Sequence, residues 1–201
     1  MTDEKTWVLQ AQQGSDEAFT QIVETYQKPV YNMCYRMLGE PGAAEDASQE
    51  TFLRVYQNLH RYDNSRAFGT WILSIAAHYC IDLLRKKKFT MFSLNAENED
   101  GNTFELPDVS ALDPENESVK KEQRNRLHLI LKDLDTTDRA AVIMRYWYDF
   151  SEVEIANSLN LTVSAVKSRL HRSRRALAGM WQAETASHTR PERRPHESPA
   201  F

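Results

Sequence analysis

The sequence predicts an all-α protein of two small helical domains joined by a flexible acidic linker. Apolar residues recur at helical spacing along most of the 201-residue chain, and the alternating pattern typical of strands is almost absent. The 6 glycines and 7 prolines cluster at a few joints. One segment near the middle is rich in acidic residues and interrupts the helical pattern. These three observations together predict the architecture.

Four helices are predicted in the first ninety residues. They cover Trp7–Gln13, Asp16–Leu38, Ala43–His60 and Ala67–Lys87. Gly39 directly follows the second helix, where a glycine in the left-handed conformation often ends a helix. A turn over Arg61–Ser65 separates the last two helices. About ninety residues are enough for one hydrophobic core, so the first domain is expected to span 1–90.

The composition changes sharply after the fourth predicted helix. Asn95–Glu117 contains eight acidic residues and no Lys or Arg, and Pro107 and Pro114 break any helical pattern. This composition predicts a flexible linker over 91–118. Helical spacing resumes near Glu117 and continues to about Trp181, which places a second domain at 119–182. The remaining residues, 183–201, are predicted to form a disordered tail.

Charge and cysteine content limit the class of protein. Lys and Arg total 25 against 29 Asp and Glu, and the net charge of −4 means that any nucleic-acid surface must be local. Cys34 and Cys80 each lie in an apolar helical pattern, so they are expected to be reduced core residues. Met1–Glu4 lacks the basic start of a signal peptide, and Trp71–Leu84 is too short to span a bilayer. The chain is therefore expected to be soluble and cytoplasmic.

The segment Asp149–Leu177 has the spacing of a helix-turn-helix. Ser151 is a good N-cap, and Glu154 three residues later completes a capping box. Asn160 tolerates the left-handed conformation that a tight turn between helices requires. Thr162 or Ser164 can cap the following helix. The residues predicted to face inward are Ile155, Ala156, Leu159, Leu161, Val166, Leu170 and Leu177.

The second helix of this motif is strongly basic. Six cationic or imidazole side chains occur within nine residues, with no acid among them: Lys167, Arg169, His171, Arg172, Arg174 and Arg175. A run of charges is usually a solvated helix face. The capped helix and the Asn turn that precede it favour DNA binding instead. Lys167, Ser168, His171 and Arg172 share one face, which is predicted to enter the major groove.

The third predicted helix carries a polar stripe. Asp46, Gln49, Glu50 and Leu53 line up at helical spacing, while Phe52, Val55, Tyr56 and Leu59 are predicted to form the apolar face. A polar stripe that contains a leucine suits a protein partner. The plainer alternative is a solvated face with one stray leucine.

The fourth predicted helix combines aromatic residues with a basic end. Phe68, Trp71, His78 and Tyr79 precede the run Arg85–Lys88. Aromatic rings followed by cations fit single-stranded DNA, whose bases stack while cations follow the backbone. The alternatives are that Trp71 and Tyr79 belong to the core and that the cations stabilise the helix C-terminus through its dipole. His78 and Asp82 are also spaced as two metal ligands, but no third ligand is nearby.

Three stretches together resemble the extracytoplasmic-function (ECF) group of the main bacterial sigma factor family. Ala43–Val55 is similar to the family's polymerase-gripping helix. Phe68–Ala76 followed by Asp82–Arg85 resembles its promoter-melting segment, and Val166–Arg174 resembles its −35-reading helix. The resemblance runs from about Asp16 to Leu177 outside the linker. It implies a non-enzymatic transcription initiation factor without a cofactor or metal.

The resemblance also implies roles for individual residues. Asp46, Gln49, Glu50 and Leu53 would contact core RNA polymerase. The −10 promoter element would be read by Phe68, Trp71, His78, Arg85, Lys86 and Lys87, and the −35 element by Ser164, Lys167, Ser168, His171, Arg172 and Arg175. His78 stands where the family often has Asn. Asn160 replaces a usual Gly, and Ser164-Ala165 replaces a common Gly-Thr pair.

The resemblance further implies partners. They are the two large subunits of core RNA polymerase, promoter DNA and an anti-sigma factor, with no membrane insertion of the chain itself. The acidic linker is then expected either to mimic a polyanion in a polymerase channel or to act as a simple tether. The residues leave two other classes open: a stand-alone helix-turn-helix regulator that binds DNA as a homodimer, and a metal enzyme using Glu45, Asp46, Glu50 or His78.

Overall fold

The computed structural model describes residues 4–94 and 128–188, with side chains described over 4–90 and 128–181. Within these ranges all regular structure is helical. The helices are α1 (Glu4–Gln12), α2 (Asp16–Leu38), α3 (Pro41–Asn58), a 3-10 turn (Leu59–Arg61), α4 (Phe68–Leu94), α5 (Thr136–Trp147), α6 (Glu152–Leu159) and α7 (Val163–His188). Residues 128–132 form a further helical segment. The predicted all-α class is confirmed.

Helix α2 is the central helix of the first domain and packs against α1, α3 and α4. It begins and ends at the predicted residues. Ser15 caps its N-terminus by accepting a hydrogen bond from the backbone N–H of Ala18 at 3.2 Å. Gly39 ends it with φ of 79°, a left-handed conformation that glycine adopts without the steric cost of a Cβ. The Gly39 cap was predicted from the sequence, whereas the Ser15 cap is seen only in the structure.

Helix α3 corrects one prediction about its apolar face. The side chains it buries are Ala44, Ala47, Thr51 and Val55, with Phe52 only partly buried. Tyr56, predicted to lie in the core, is 56% exposed and rests its ring edge on Phe19 with centroids 4.9 Å apart. The small alanines let the backbone of α3 approach its neighbours, and this rotates the buried face away from Tyr56.

Helix α4 is longer than its pattern predicts. The sequence suggests an end at Lys87 and a linker from residue 91, but the helix continues to Leu94. No Gly or Pro interrupts 88–94, so nothing local stops the helix. The predicted core thiols are confirmed: Cys34 on α2 and Cys80 on α4 are both buried and unbonded. Residues 95–118 of the predicted linker lie outside the described residues.

The second domain is built from α5, α6 and α7. Asp135 caps α5 by accepting a hydrogen bond from the backbone N–H of Thr137 at 3.0 Å. The core of the second domain includes the side chains of Val142, Ile143, Ile155 and Val166. Helix α7 runs to His188, so 183–188 is helical rather than part of the predicted tail, because that stretch also lacks Gly and Pro. The rest of that tail, 189–201, is outside the described residues.

The two domains pack directly on each other, which the sequence did not predict. Helices α2 and α4 contact α5, and α4 also contacts α6. The buried residues of both domains form one continuous cluster. We call this contact surface, from α2 and α4 to α5, α6 and His128, the interdomain seam. Among residues 4–94 and 128–188, no helix combines the length and apolar character that crossing a membrane needs.

Candidate nucleic-acid interface

The helix-turn-helix is held by the predicted local contacts. The Ser151 hydroxyl accepts from the backbone N–H of Glu154 at 3.2 Å, and the Glu154 carboxylate accepts from the backbone N–H of Ser151 at 2.8 Å. The Ser151 hydroxyl also donates to the Glu154 carboxylate at 2.7 Å, and this bond, followed by the one from the Ser151 backbone, lowers the pKa of Glu154. Asn160 ends α6 with φ of 54° and ψ of 46°. The capping box and the left-handed turn are therefore both confirmed.

The start of α7 resolves an alternative that the sequence left open. The Thr162 hydroxyl accepts from the backbone N–H of Ala165 at 3.2 Å, so Thr162 rather than Ser164 caps this helix. Val166 and Leu170 are buried against the other two helices of the domain. The orientation of α7 is thus fixed by a cap at its start and by its apolar face.

All six residues predicted to read the −35 element are exposed on α7. They are Ser164, Lys167, Ser168, His171, Arg172 and Arg175. Among them, Lys167 lies 3.7 Å from the Glu152 carboxylate, a loose ion pair between exposed side chains that a phosphate can replace. The structure therefore presents a basic, solvent-facing surface on a helix with a fixed orientation, which is the geometry that major-groove binding requires.

Arg169 plays a different role from its basic neighbours. Its guanidinium hydrogen-bonds the carboxylate of Asp138 on α5 and lies 4.0 Å from that of Asp135. Both Arg169 and Asp138 are partly buried. Charge-assisted pairs of this kind are stronger than neutral hydrogen bonds. Arg169 thus joins α7 to α5, and sequence alone could not separate it from the cations that face solvent.

The residues predicted to read the −10 element range from buried to exposed. Phe68 is only 3% exposed and packs edge-on against Tyr26 and Tyr62. Trp71 is half-buried, with its ring 4.9 Å from that of Tyr62. The structure thus places Phe68 in the core of the first domain and Trp71 at its edge. His78 is half-buried. The three cations are exposed: Arg85, Lys86 and Lys87.

Two of these residues have specific polar contacts. His78 Nδ1 lies 3.0 Å from the backbone carbonyl oxygen of Ser74, which fixes the ring orientation on α4. Arg85 donates to the hydroxyl of Thr137 on α5 at 3.3 Å. Within the described residues no group of three or more His, Cys, Asp or Glu side chains converges, so His78 and Asp82 gain no third metal ligand there.

Two features near this surface were missed by sequence reasoning. The Arg54 guanidinium lies 4.5 Å from the ring centre of Tyr79, joining α3 to α4 by a cation–π contact. Phe89 is 78% exposed beside the basic run Arg85–Lys88. An aromatic residue within a basic run is a sequence signal that could have singled out Phe89. No sequence signal indicates the Arg54 contact, because it depends on how α3 and α4 pack.

The polar stripe of α3 faces solvent as predicted. Asp46 and Gln49 are exposed, and Leu53 is 51% exposed. Glu50 is partly buried and accepts a hydrogen bond from Arg54 at 2.7 Å. Exposed Tyr56 extends the stripe by one turn. An exposed leucine and tyrosine bordered by acidic and amide groups form a mixed surface of the kind that protein partners bind.

Comparison with known proteins identifies the family. Residues 22–90 match the Sigma-70 region 2 model and residues 124–177 match the Sigma-70 region 4 model. The chain is 37% identical over 176 residues to the ECF RNA polymerase sigma factor SigW of Bacillus subtilis, covering 86% of this chain and 94% of that protein. The chain belongs to the ECF sigma factors. It is therefore a promoter-specific transcription initiation factor that acts with RNA polymerase, and not an enzyme.

Other relatives agree with this membership. The ECF sigma factor SigX of Bacillus subtilis is 29% identical over 162 residues, covering 81% of this chain and 82% of that protein. Among solved structures, CnrH in complex with the cytosolic domain of CnrY matches with a TM-score of 0.64 at 22% identity, covering 90% of this chain and 99% of that one. The sigma factor RpoE of Bartonella quintana, solved with the anti-sigma factor NepR, matches with a TM-score of 0.63 at 16% identity, over 82% of this chain and 96% of that one. These two structures support the fold.

Proposed function

We propose that this ECF sigma factor binds core RNA polymerase through the polar stripe of α3, reads the −10 element with its first domain and reads the −35 element with α7. The domains assigned to these tasks are residues 1–90 and 119–182. The observation that carries the proposal is the exposure of all six predicted −35 residues on a helix fixed by caps at both sides of the turn.

The −10 assignment rests on the arrangement of α4. Phe68 lies in the core of the first domain and Trp71 at its edge, and the exposed cations begin at Arg85, about four helical turns after Trp71. A base extruded from the duplex needs a pocket, and cations can hold the backbone on either side of it. In this arrangement Phe68 supports the pocket, Trp71 and His78 border it, and Arg85, Lys86 and Lys87 hold phosphates.

The polymerase assignment rests on the chemistry of α3. Asp46 and Gln49 are exposed and near the apolar side chain of Leu53. The net charge of −4 also fits a chain that binds DNA strongly only after joining a basic partner. A stand-alone regulator would instead bind duplex DNA tightly by itself. We further propose that the chain works in the cytoplasm, where polymerase acts.

An anti-sigma partner is part of the proposal. Two of the solved structures that match this fold are complexes, one with the cytosolic domain of CnrY and one with the anti-sigma factor NepR. We infer that this chain is also held by an anti-sigma factor. Such a protein would block the polymerase surface on α3 or the DNA surfaces on α4 and α7.

The test is association with bacterial core RNA polymerase by size-exclusion chromatography. The wild type should co-elute with polymerase, and a variant with Asp46→Ala and Gln49→Ala should co-elute much less. The matched control is Gln21→Ala with Glu24→Ala, which also removes one amide and one carboxylate from an exposed helix face, here on α2. The control should bind as the wild type does. If the wild type does not bind polymerase but binds duplex DNA by itself, the chain is a stand-alone regulator.

A further inference from the structure

The far end of α4 leaves the body of the first domain. Ile81 is 4% exposed, and Leu83 and Leu84 are partly buried. Every residue from Arg85 to Thr90 is exposed. Successive residues of an α-helix turn by about 100° around its axis, so exposed residues over more than one turn face every side of the helix. Solvent therefore surrounds this part of α4, and we call residues 85–90 the projecting turns.

The projecting turns carry a run of cations, Arg85–Lys88. Arg85 donates to the hydroxyl of Thr137, which is a neutral partner. In the part of the chain whose side chains are described, the ion pairs involve other residues. The sequence contains no acidic residue between Asp82 and Glu97. This positive charge is therefore available to a polyanion, and consecutive cations suit the evenly spaced phosphates of a nucleic-acid strand.

Phe89 directly follows this run and is 78% exposed, more than any other large apolar side chain in the described part of the chain. Other aromatic residues of α4 have partners: Phe68 and Trp71 pack with Tyr62, and the Tyr79 ring lies against a guanidinium of α3. A single exposed apolar side chain is common on protein surfaces. Phe89 differs because its ring is largely open on both faces and lies beside unneutralised cations.

The spacing of α4 places the ring and two of the cations on one side. Arg85 and Lys86 lie four and three residues before Phe89, and residues at these spacings are neighbours on a helix surface. Side chains of a helix also lean toward its N-terminus, which brings the ring of Phe89 toward these cations. A strand whose phosphates bind Arg85 and Lys86 therefore passes within reach of the ring.

An unpaired base is the ligand that this combination fits. In a duplex the faces of the bases are covered by their neighbours, so an exposed ring finds no face to stack on. In a single strand each base can offer a face, and stacking of a base on an aromatic side chain tolerates any sequence. A lipid surface fits less well, because interfacial helices need a broad apolar face, whereas the projecting turns carry one ring among cations on several sides.

The distance to the proposed −10 pocket agrees with a single strand. His78 and Phe89 lie about three turns apart on α4, roughly 16 Å along its axis. At about 3.4 Å per stacked nucleotide this corresponds to about five nucleotides, and to fewer in an extended strand. One opened strand can therefore contact both residues.

We propose that Phe89 stacks on an unpaired base of the opened promoter strand, within about five nucleotides of the base held at His78, while Arg85–Lys88 bind the adjacent phosphates. This deepens the function proposed for α4 and rests on it. Phe89 contacts the face of a base and not its edge, so it holds the strand without reading its sequence. The ring thus adds a second contact that keeps the duplex open.

The test is binding of the full chain to oligothymidine of about 20 nucleotides, which lacks base pairs and is longer than the sites of single-strand binding folds. Fluorescence anisotropy at low salt measures Kd, with a duplex of the same length as the second probe. Phe89→Ala should raise the Kd for oligothymidine about tenfold, the loss of one stacked base, and leave the Kd for duplex unchanged.

Three further variants show whether the ring itself matters. Phe89→Trp keeps an aromatic face and should bind oligothymidine at least as tightly as the wild type. Phe89→Leu keeps an apolar side chain without that face and should bind as Phe89→Ala does. Thr90→Ala changes the adjacent exposed residue and is the matched control, which should bind as the wild type does. Full binding by Phe89→Leu would overturn stacking.

Lys87→Ala separates failure of this inference from failure of the proposed function. It removes a phosphate contact, so it should weaken binding to both probes and make the affinity less dependent on salt. If Lys87→Ala weakens binding and Phe89→Ala does not, stacking is wrong while the DNA surface of α4 stands. If neither variant changes binding, the assignment of α4 to promoter DNA fails as well.

The remaining outcomes also decide the matter. A wild type that does not bind oligothymidine at low salt, or an equal loss by Phe89→Ala on both probes, would overturn stacking. Vesicles that contain phosphatidylglycerol test the lipid alternative by co-sedimentation. If Phe89→Ala loses vesicle binding but keeps its affinity for oligothymidine, Phe89 contacts lipid and the stacking proposal is wrong.

Discussion

Helices α4 and α7 are both proposed to read promoter DNA, but they present their residues in opposite ways. On α7 every candidate residue is exposed, and the helix is fixed by the Thr162 cap, the left-handed turn before it and the ion pair of Arg169 with Asp138. On α4 the candidates extend from buried Phe68 through half-buried Trp71 to the exposed lysines. One surface is ready to bind, whereas the other is partly built from the core.

This difference corresponds to two kinds of reading. A preformed, exposed helix can read base edges of an intact duplex in the major groove. A half-buried aromatic surface suits bases that have left the stack, because such bases need a rigid wall to lie against. Changes of the exposed candidate residues on α7 should therefore alter recognition without altering folding, and changes of the buried and half-buried candidates on α4 should alter both. The predictions below test that separation, from the largest expected effect to the smallest.

Removing Phe68 should produce the largest effect. Its ring is buried among Tyr26, Tyr62 and Trp71, so Phe68→Ala should lower the free energy of unfolding by about 3–5 kcal/mol. Urea unfolding followed by circular dichroism measures this. Phe89→Ala on the same helix is the control, because an exposed ring should contribute less than about 0.5 kcal/mol. A fully stable Phe68→Ala chain that fails only in promoter melting would make Phe68 a contact residue instead of a core residue.

Removing Arg169 should destabilise the second domain although the residue lies in the recognition helix. Arg169→Ala leaves the partly buried Asp138 without its ionic partner, which should cost about 2 kcal/mol of unfolding free energy. The control is Arg174→Ala, an exposed residue of the same helix. Equal unfolding midpoints for the two variants would show that the base of α7 does not depend on this pair.

Removing Arg172 should weaken DNA recognition and leave the stability of the second domain unchanged. Its side chain is exposed, so Arg172→Ala should leave the unfolding free energy unchanged. If the guanidinium makes a bidentate contact with a base edge, discrimination between −35 sequences should weaken by about 1–3 kcal/mol. Competition binding with the polymerase complex on a set of −35 variants measures this. Equal loss on every sequence would reduce Arg172 to a phosphate contact.

The turn between α6 and α7 gives a smaller effect. Asn160 has positive φ, so Asn160→Ala should cost about 1 kcal/mol of unfolding free energy, because Cβ crowds the backbone in the left-handed region and alanine cannot compensate with a side-chain hydrogen bond. Asn160→Gly, which removes the Cβ, should be close to neutral. Thermal unfolding of the two variants beside the wild type checks the prediction. Identical loss in both would mean that the Asn side chain, and not the backbone conformation, matters at this turn.

How much the sequence could predict depends on how local each feature is. The capping box and the Asn160 turn are contacts between residues a few positions apart, and their residue types indicate them directly, while the cap of α7 could be narrowed to Thr162 or Ser164. The seam bonds of Arg139 and Tyr148 join residues 102 and 119 positions apart. No periodicity or motif signals such pairs, because they depend on how two finished domains meet.

The candidate site divides along the same line. Exposure of the basic face of α7 followed from helical spacing once the apolar face was known. The separate role of Arg169 did not follow, since its partner Asp138 lies on another helix. The prediction that Tyr56 is buried was wrong for a related reason. Its spacing is compatible with the apolar face, but the close packing of Ala44 and Ala47 decides which side of α3 is buried.

The smallest expected effect is a pH dependence of the packing at the interdomain seam. Opening of the seam uncovers one side of α4 and leaves the exposed face of α7 unchanged. The His128 ring faces Tyr35 and Arg36 of α2 and Arg139 of α5, and burial, followed by the two arginines, lowers its pKa below the ordinary 6.5. The state in which the two domains pack at the interdomain seam, here called the closed state, therefore favours neutral His128. Above pH 6.5 the ring is neutral whether the seam is closed or open, and the closed state is favoured fully.

As the pH falls below 6.5 the open state takes up a proton more readily, so the closed fraction should decrease. Energy transfer between dyes at Gln21→Cys on α2 and Ala178→Cys on α7, two exposed sites, measures the change when it is compared at about pH 7.5 and about pH 5.5. His128→Gln should flatten it, whereas His60→Gln, which replaces an exposed histidine away from the seam, should keep it. An unchanged pH response in His128→Gln would mean that another group controls the seam. In that case closure would not respond to pH through this ring.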